Sequence, residues 1–309
     1  MTTPAPLHAT DGPPGGRAFW LHTRGGVRLR MAHWPGPRGT VMVLPGRTEY
    51  IEKYAQVAAG LARAGWGALV IDWRGQGLSD RLAGDAALGH IGRFPDYQLD
   101  LAAMRRAAQD LGLHAPMPLL AHSMGGCIAL RALCDGLQPP AVAFSAPMWG
   151  LPLSRMQRIG IRAMAQITRP LGRDTAYLPT TGPQYGLPSM AFEGNPLTRD
   201  PDQFARMQDQ IRAEPMLALG GPSLRWGGAA LAEMAALARL PAPKVPALIG
   251  LGGNERIVSP PAIRAQAARW PGAELVDYAQ AEHELLMERP QTRDDFLARA
   301  LALFGSGQG

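Results

Sequence analysis

A serine two residues before a glycine, set between an apolar run and a helical pattern, is where side-chain types and spacing in this chain could first carry chemistry. In Ala121-His122-Ser123-Met124-Gly125, the run MPLLAHS (117–123) reads as a buried strand and MGGCIALRALCDG after it as a helix. A serine at such a corner sits on a strained turn, and its neighbours two before and two after must be small for the backbone to close. Gly125 fills the second small position, Ala121 the first, one methyl larger than the glycine commonest there, and Gly126 lets the helix approach the strand. A serine hydroxyl is a weak nucleophile and needs a base, usually a histidine oriented by a carboxylate. Of the seven histidines, His8, His22 and His33 precede the patterned region, and His90 and His114 read as loop residues. His122 points to the opposite face of its strand from Ser123 and reads as a packed or supporting residue. His283, in AEHELLME just past the last strand-like run, stands at a carboxyl end of the sheet, where an α/β fold forms its ligand crevice. It is the expected base.

The acid should follow an intervening strand, in the order serine, acid, histidine. The run 141–147 is followed by no carboxylate before Asp174, whereas GGNERIV puts Glu255 at the carboxyl end of the next strand. Glu282 and Glu284 flank His283 but reach its ring only by awkward local geometry, and Asp277 lies inside a strand. Glu255 is the expected acid. An oxyanion needs two backbone N–H groups aimed at one point. Met124 N–H, at the start of the helix, supplies one; Arg47 N–H, in the turn PGRTEY where Gly46 permits a tight bend, is expected to supply the other. A backbone role leaves the Arg47 side chain idle, so Arg47→Ala should be mild.

The elements that must hold these residues follow a βα rhythm. GTVMVLPG (39–46), WGALVID (66–72), MPLLAHS, AVAFSAP (141–147), VPALIGLGG (245–253) and AELVDYA (273–279) read as strands. Helical patterns span Tyr50 to Ala64, about 95–112, the stretch after Ser123, about 260–269 and about 291–304. The rhythm breaks between Met148 and Pro243, where helical stretches alternate with Pro/Gly-rich joints and half of the 14 methionines lie. The fold class is therefore α/β, a mostly parallel sheet flanked by helices. Its core is assigned to 17–147 and 244–305, with a helical cap inserted at 148–243 and a disordered tail at 1–16.

Composition narrows the setting. With 46% hydrophobic and 18% charged residues, 309 residues can bury a large core. A net charge of +6 is too dilute for a nucleic-acid stripe. Only Lys53 and Lys244 are lysines among 31 basic residues, so the surplus is arginine that tracks composition. Cys127 and Cys134 lie on one helix about 10 Å apart along its axis at roughly 1.5 Å per residue, too far to bridge. With no long apolar run and no leader-like N-terminus, a cytoplasmic location is expected.

Together these residues resemble the α/β-hydrolase superfamily and, within it, the monoacylglycerol lipase and lysophospholipase group of serine hydrolases, over about 27–304. Besides AHSMGG, GGNERIV and AEHELL, the resemblance is carried by IDWRGQGLSD (71–80) and LPGRTEYIEKY (44–54), while NPLTRDPDQFARM with LALGGPSLRW (195–226) is similar to the bacterial lysophospholipase branch. It implies Ser123 as nucleophile, Glu255 as acid where aspartate is commoner, His283 as base, and Arg47 with Met124 as oxyanion donors. Pro45-Gly46 stands where many members have His-Gly. Asp72, Arg74, Gly75 and Gly77 take structural roles in their turn. The implied reaction is two-step ester hydrolysis without metal or cofactor, on lysophospholipid, monoacylglycerol or another medium-chain ester; a Met-rich cap suits an acyl chain. A dehalogenase or epoxide hydrolase would need aspartate at position 123. A ligand-binding protein on the same scaffold, with little turnover, is the alternative from another class. Five arginines (155, 158, 162, 169, 173) interleave with apolar residues over 151–173 and suggest peripheral membrane contact through the cap. Gly160 and the arginine-rich composition favour a plain solvated face instead.

Overall fold

Apolar runs bounded by turn residues become the strands of one mixed sheet. In a computed structural model describing residues 2–9, 11–113 and 117–306, the chain opens with β1 (Thr3–Ala5), β2 (Arg17–His22), β3 (Arg28–Trp34) and β4 (Thr40–Leu44). Then α1 (Ala55–Arg63), β5 (Gly67–Asp72), α2 (Tyr97–Asp110), β6 (Leu119–His122), α3 (Met124–Cys134) and β7 (Val142–Ser145) alternate. After α4 (Arg155–Thr168), α5 (Pro201–Ala213) and α6 (Leu224–Leu237), the alternation resumes with β8 (Ala247–Gly252), α7 (Pro260–Ala268), β9 (Ala273–Tyr278) and α8 (Pro290–Ser306).

The described strands lie in the order β1-β2-β3-β5-β4-β6-β7-β8-β9. From β5 to β9 the neighbours are parallel, and β1, β2 and β3 add an antiparallel edge. Every residue of β4 to β8 is buried, as expected of parallel strands covered by helices on both faces, which is why they read as continuous apolar runs. One face packs Ile71, Met104, Ile128 and Phe144; the other packs Val43, Leu61, Leu248 and Phe296.

Among the described residues, the segment between β7 and β8 holds helices and short 3-10 turns but no strand. It has no separate core: Trp226 and Leu231 of α6 join the first apolar cluster, Phe204 and Met207 of α5 the second. No described helix is long and apolar enough to cross a membrane.

One expectation needs correction. The N-terminal segment, expected as a disordered tail over 1–16, is tied down where it is described. Thr3–Ala5 pair with β2, whose outer edge would otherwise be left open. Arg30 donates to the Pro6 carbonyl at 3.2 Å, His8 N–H donates to Glu52 at 3.0 Å, and Asp11 pairs with Arg206. Met1 and Thr10 lie outside the described residues. The β2–β3 hairpin lies ahead of the βα rhythm and was not anticipated, and its arginines are not all at the surface. Arg30 is fully buried, with Nε 2.7 Å from Asp72 and Nη2 2.7 Å from Glu52.

Candidate active site

Ser123 follows β6 with φ 49 and ψ −116, a backbone conformation that non-glycine residues rarely adopt. The surroundings enforce it. Ser123 N–H donates to the Ser145 carbonyl of β7, and its own carbonyl accepts from Gly126 and Met148 N–H at 2.9 and 2.8 Å. A Cβ at Gly125 would stand 2.0 Å from the Leu44 carbonyl oxygen, so only glycine lets α3 start against β4. Ala121 is fully buried in register between Leu44 and Phe144, and its methyl is accommodated.

His283 and Glu255 come from the loops after β9 and β8. His283 Nδ1 lies 2.7 Å from Glu255 Oε2, while Glu255 Oε1 accepts from Ile257 and Val258 N–H at 2.7 and 3.0 Å. Burial raises the Glu255 carboxyl, but the hydrogen bond and charge of His283 and these two N–H groups hold it below the usual carboxylate range. The neighbouring acids are engaged elsewhere: Glu282 with Arg256 at 3.2 Å, Glu284 with Lys53 at 2.6 Å, and Asp277, at the surface, with Arg264 at 2.6 Å. His122 packs against His283 with ring centroids 4.8 Å apart, and its Nδ1 meets the Ser145 carbonyl at 3.0 Å. Burial pushes its pKa down to about 3, so it stays neutral. His8, His22, His33 and His90 lie apart from this cluster; His114 lies outside the described residues.

Ser123 and His283 open into an apolar-walled cavity of about 290 Å³, bounded by Met148, Leu187, Met190, Leu197 and Val258. Larger hollows of about 590 and 600 Å³ elsewhere on the surface contain neither residue, so they are set aside as sites for this chemistry. Arg47 borders the same cavity, beside Thr48 at φ 64. Among the described residues, neither Met124 N–H nor Arg47 N–H donates to a protein acceptor, which suits groups kept for a ligand. The Arg47 side chain makes contacts of its own, which the expectation of a backbone role did not include. Its Nη2 donates to the Gly220 carbonyl of the cap at 2.6 Å, and the guanidinium lies 5.2 Å from the Trp226 ring centroid. It is one of several ties between cap and core, beside the backbone bonds of Gly89 with Gly221 and of Gly220 with Ala87.

The sequence reading missed a buried ionic cluster beneath the site. Lys53 Nζ lies 2.6 Å from both Glu49 Oε1 and Glu284 Oε2. Glu49 also accepts from Tyr54 Oη at 2.6 Å and from Gly46 N–H. Ligand atoms of Glu49, His122 and Glu284 lie within 4.8 Å of one another, a span a cation could bridge. The Lys53 ammonium reaches two of the three and supplies that positive charge. The available signal was Lys53 itself, one of two lysines among 31 basic residues, placed four residues after Glu49. The turn after β5 is structural: Asp72 accepts from Ile51 and Leu78 N–H and pairs with Arg30, Arg74 pairs with Asp100 at 2.7 Å, and Gly75 and Gly77 have positive φ.

A mostly parallel sheet with a helical insertion after β7 and a nucleophile-type turn after β6 defines an α/β-hydrolase. The chain belongs to the serine aminopeptidase S33 family, whose model matches residues 35–290. It is 36% identical to lysophospholipase L2 of Escherichia coli K12 over 208 residues, 65% of this chain and 57% of that protein, so the match spans little more than half of that relative. It is 27% identical to the probable lysophospholipase L2 of Haemophilus influenzae over 284 residues, covering 90% of this chain and 88% of that protein. Among solved structures, a soluble variant of Saccharomyces cerevisiae monoglyceride lipase superposes with TM-score 0.72 at 17% identity, over 98% of this chain and 100% of that one. The Paleococcus ferrophilus monoacylglycerol lipase gives 0.68 at 20%, over 91% and 99%. These two share the fold.

Proposed function

We propose that the protein hydrolyses carboxylic esters of lysophospholipid or monoacylglycerol type through an acyl-enzyme on Ser123. The observation that carries this reading is the 2.7 Å contact of His283 Nδ1 with Glu255, beside a cavity shared with the strained Ser123 turn. Glu255 fixes the tautomer that leaves His283 Nε2 to take the serine proton, and it stabilises the imidazolium that forms. Ser123 Oγ attacks the ester carbonyl, and the oxyanion accepts from Met124 and Arg47 N–H. His283 returns the proton to the departing alcohol. Water, deprotonated by His283, then releases the carboxylic acid. The lysophospholipase relatives support the substrate class, and the apolar walls suit an acyl chain.

Membrane contact belongs to the same proposal. On the outside of the cap, Met156 (74% exposed), Ile159 (50%), Ile167 (64%) and Leu171 (65%) stand among the exposed Arg155, Arg158, Arg169 and Arg173, with no acid until Asp174. That combination suits the surface of an anionic bilayer. The test is turnover of p-nitrophenyl esters across acyl lengths, then of a lysophospholipid and a monoacylglycerol. Brisk hydrolysis with an optimum above acetate is expected, and no turnover of any of them would reject the reading.

A further inference from the structure

Arg47 stands out among the charged groups around the cavity. Lys53 is paired with Glu49 and Glu284, and His283 with Glu255. No described carboxylate lies within ion-pairing distance of Arg47, and the ionisable groups that act most on it are the phenols Tyr97 and Tyr185. Its Nε is buried with no hydrogen-bond partner. Burial alone accounts for the fall of its pKa to about 10, still high enough to keep it charged at neutral pH.

The surroundings hold the guanidinium in place without neutralising it. Gly220 N–H donates to the Ala87 carbonyl, Gly89 N–H to Gly221, and Ser223 N–H to Gly89, so the core loop and the cap loop are laced together around the side chain. A Cβ on Gly89 would stand 2.3 Å from Nη2, so a glycine there leaves the fork its room. Trp226 covers one face. Burying a cation without a counter-charge is costly, and a partner that arrives with the ligand removes that cost. A guanidinium presents a planar fork of donors that matches a phosphate.

We propose that the Arg47 side chain is a headgroup subsite that takes the phosphate of a phosphate-bearing acyl ester and so directs the enzyme to lysophospholipid over monoacylglycerol. The proposal rests on the ester-hydrolase reading above and adds the substrate's charge. The Arg47 backbone borders the place where the ester carbonyl reacts, and its side chain extends from there toward the cap. A glycerol that places its ester at Ser123 can therefore present its phosphate to the guanidinium.

The test compares kcat/KM for 1-myristoyl lysophosphatidylglycerol and 1-monomyristoylglycerol in one neutral detergent, for the parent, Arg47→Lys and Arg47→Gln. The lysophospholipid-to-monoacylglycerol ratio should fall at least tenfold in Arg47→Gln and less in Arg47→Lys, whatever happens to absolute rates. An unchanged ratio in a folded Arg47→Gln overturns the proposal and leaves Arg47 as a cap anchor. Should that variant not fold, the parent still decides. At constant ionic strength, glycerol 3-phosphate should inhibit p-nitrophenyl butyrate hydrolysis competitively at concentrations where glycerol does not. Equal effects of the two, or inorganic phosphate inhibiting as strongly as glycerol 3-phosphate, would overturn the headgroup assignment. Absence of all ester turnover would fail the ester-hydrolase reading itself, a result distinct from turnover whose preference ignores Arg47.

Discussion

Lys53→Met should damage both stability and catalysis, and the structure says by what route. The ammonium bridges Glu49 and Glu284 at 2.6 Å each in a buried setting. Methionine keeps the apolar stem and removes the charge, leaving two buried carboxylates without their counter-ion. Breaking a buried ion pair from one side costs about 3–5 kcal/mol. At about 2–4 °C per kcal/mol for a large domain, Tm should fall by at least about 6 °C. The pH dependence gives the cause away. In the parent, Lys53 is raised by Glu284 and Glu49 against its burial, so its contribution is present below the ordinary lysine pKa and lost only as pH climbs through the raised value. Glu49, despite burial, is held down to about 2, chiefly by Lys53, so its contribution is present above the unfolded pKa and lost as pH falls toward 2. In the variant the paired carboxylates repel, at least one pKa rises, and protonation relieves the strain. The Tm gap between parent and variant should therefore narrow from pH 7 to pH 5, and adding Glu284→Gln should recover part of the loss at pH 7. Because Glu49 also fixes Gly46 N–H beside Arg47, kcat on a p-nitrophenyl ester should drop about tenfold or more. Differential scanning fluorimetry at several pH values reads the first effect and steady-state kinetics the second. A gap that does not change with pH, or a variant as stable as its parent, would refute the reasoning.

Other expectations follow from single contacts. Glu255→Gln should lose about a thousandfold or more in kcat while Glu255→Asp retains much more, since the amide cannot stabilise the imidazolium; near-parental rates for the glutamine variant, with Glu282→Gln inactive, would reassign the acid. Gly125→Ala should give poorly folded or inactive protein, because its methyl meets the Leu44 carbonyl at 2.0 Å, and circular dichroism with an ester assay checks this. Replacing Arg155, Arg158 and Arg169 with glutamine should weaken sedimentation with anionic vesicles, most at low salt, and leave a soluble short-chain ester unaffected; equal vesicle binding at low salt would return α4 to an ordinary solvated face.

Residues whose neighbours in sequence decide their place were the legible ones. β4 to β8 are apolar on both faces and bounded by turns, so their runs announce them. Ser123 and Glu255 stand at the carboxyl ends of two such strands, β6 and β8, and His283 follows the partly buried β9; strand position, chain order and elimination among the other acids and histidines aligned them. β2 and β3 carry Arg17, His22, Arg28 and Arg30 among their apolar residues and show no continuous apolar run; that Arg30 is buried between Asp72 and Glu52 depends on partners 42 and 22 residues away. The Lys53 cluster joins the turn after β4 to the loop after β9, a separation no local pattern reports. The Arg47 backbone could be placed from its turn, but its side chain is held by Gly220, 173 residues on. Helix α4 was legible as an amphipathic pattern, yet it runs over 155–168 and not the whole of 151–173, because Ser154 caps its start and the chain turns before Pro170.

The central claim is that Ser123 forms the covalent intermediate, and intact-mass spectrometry after a fluorophosphonate probe tests it most directly. One probe adduct per parent chain is predicted, mapped to the peptide containing Ser123, with none on Ser123→Ala and slowed labelling of His283→Ala. An adduct on another residue, or labelling of Ser123→Ala at the parental rate, would contradict it.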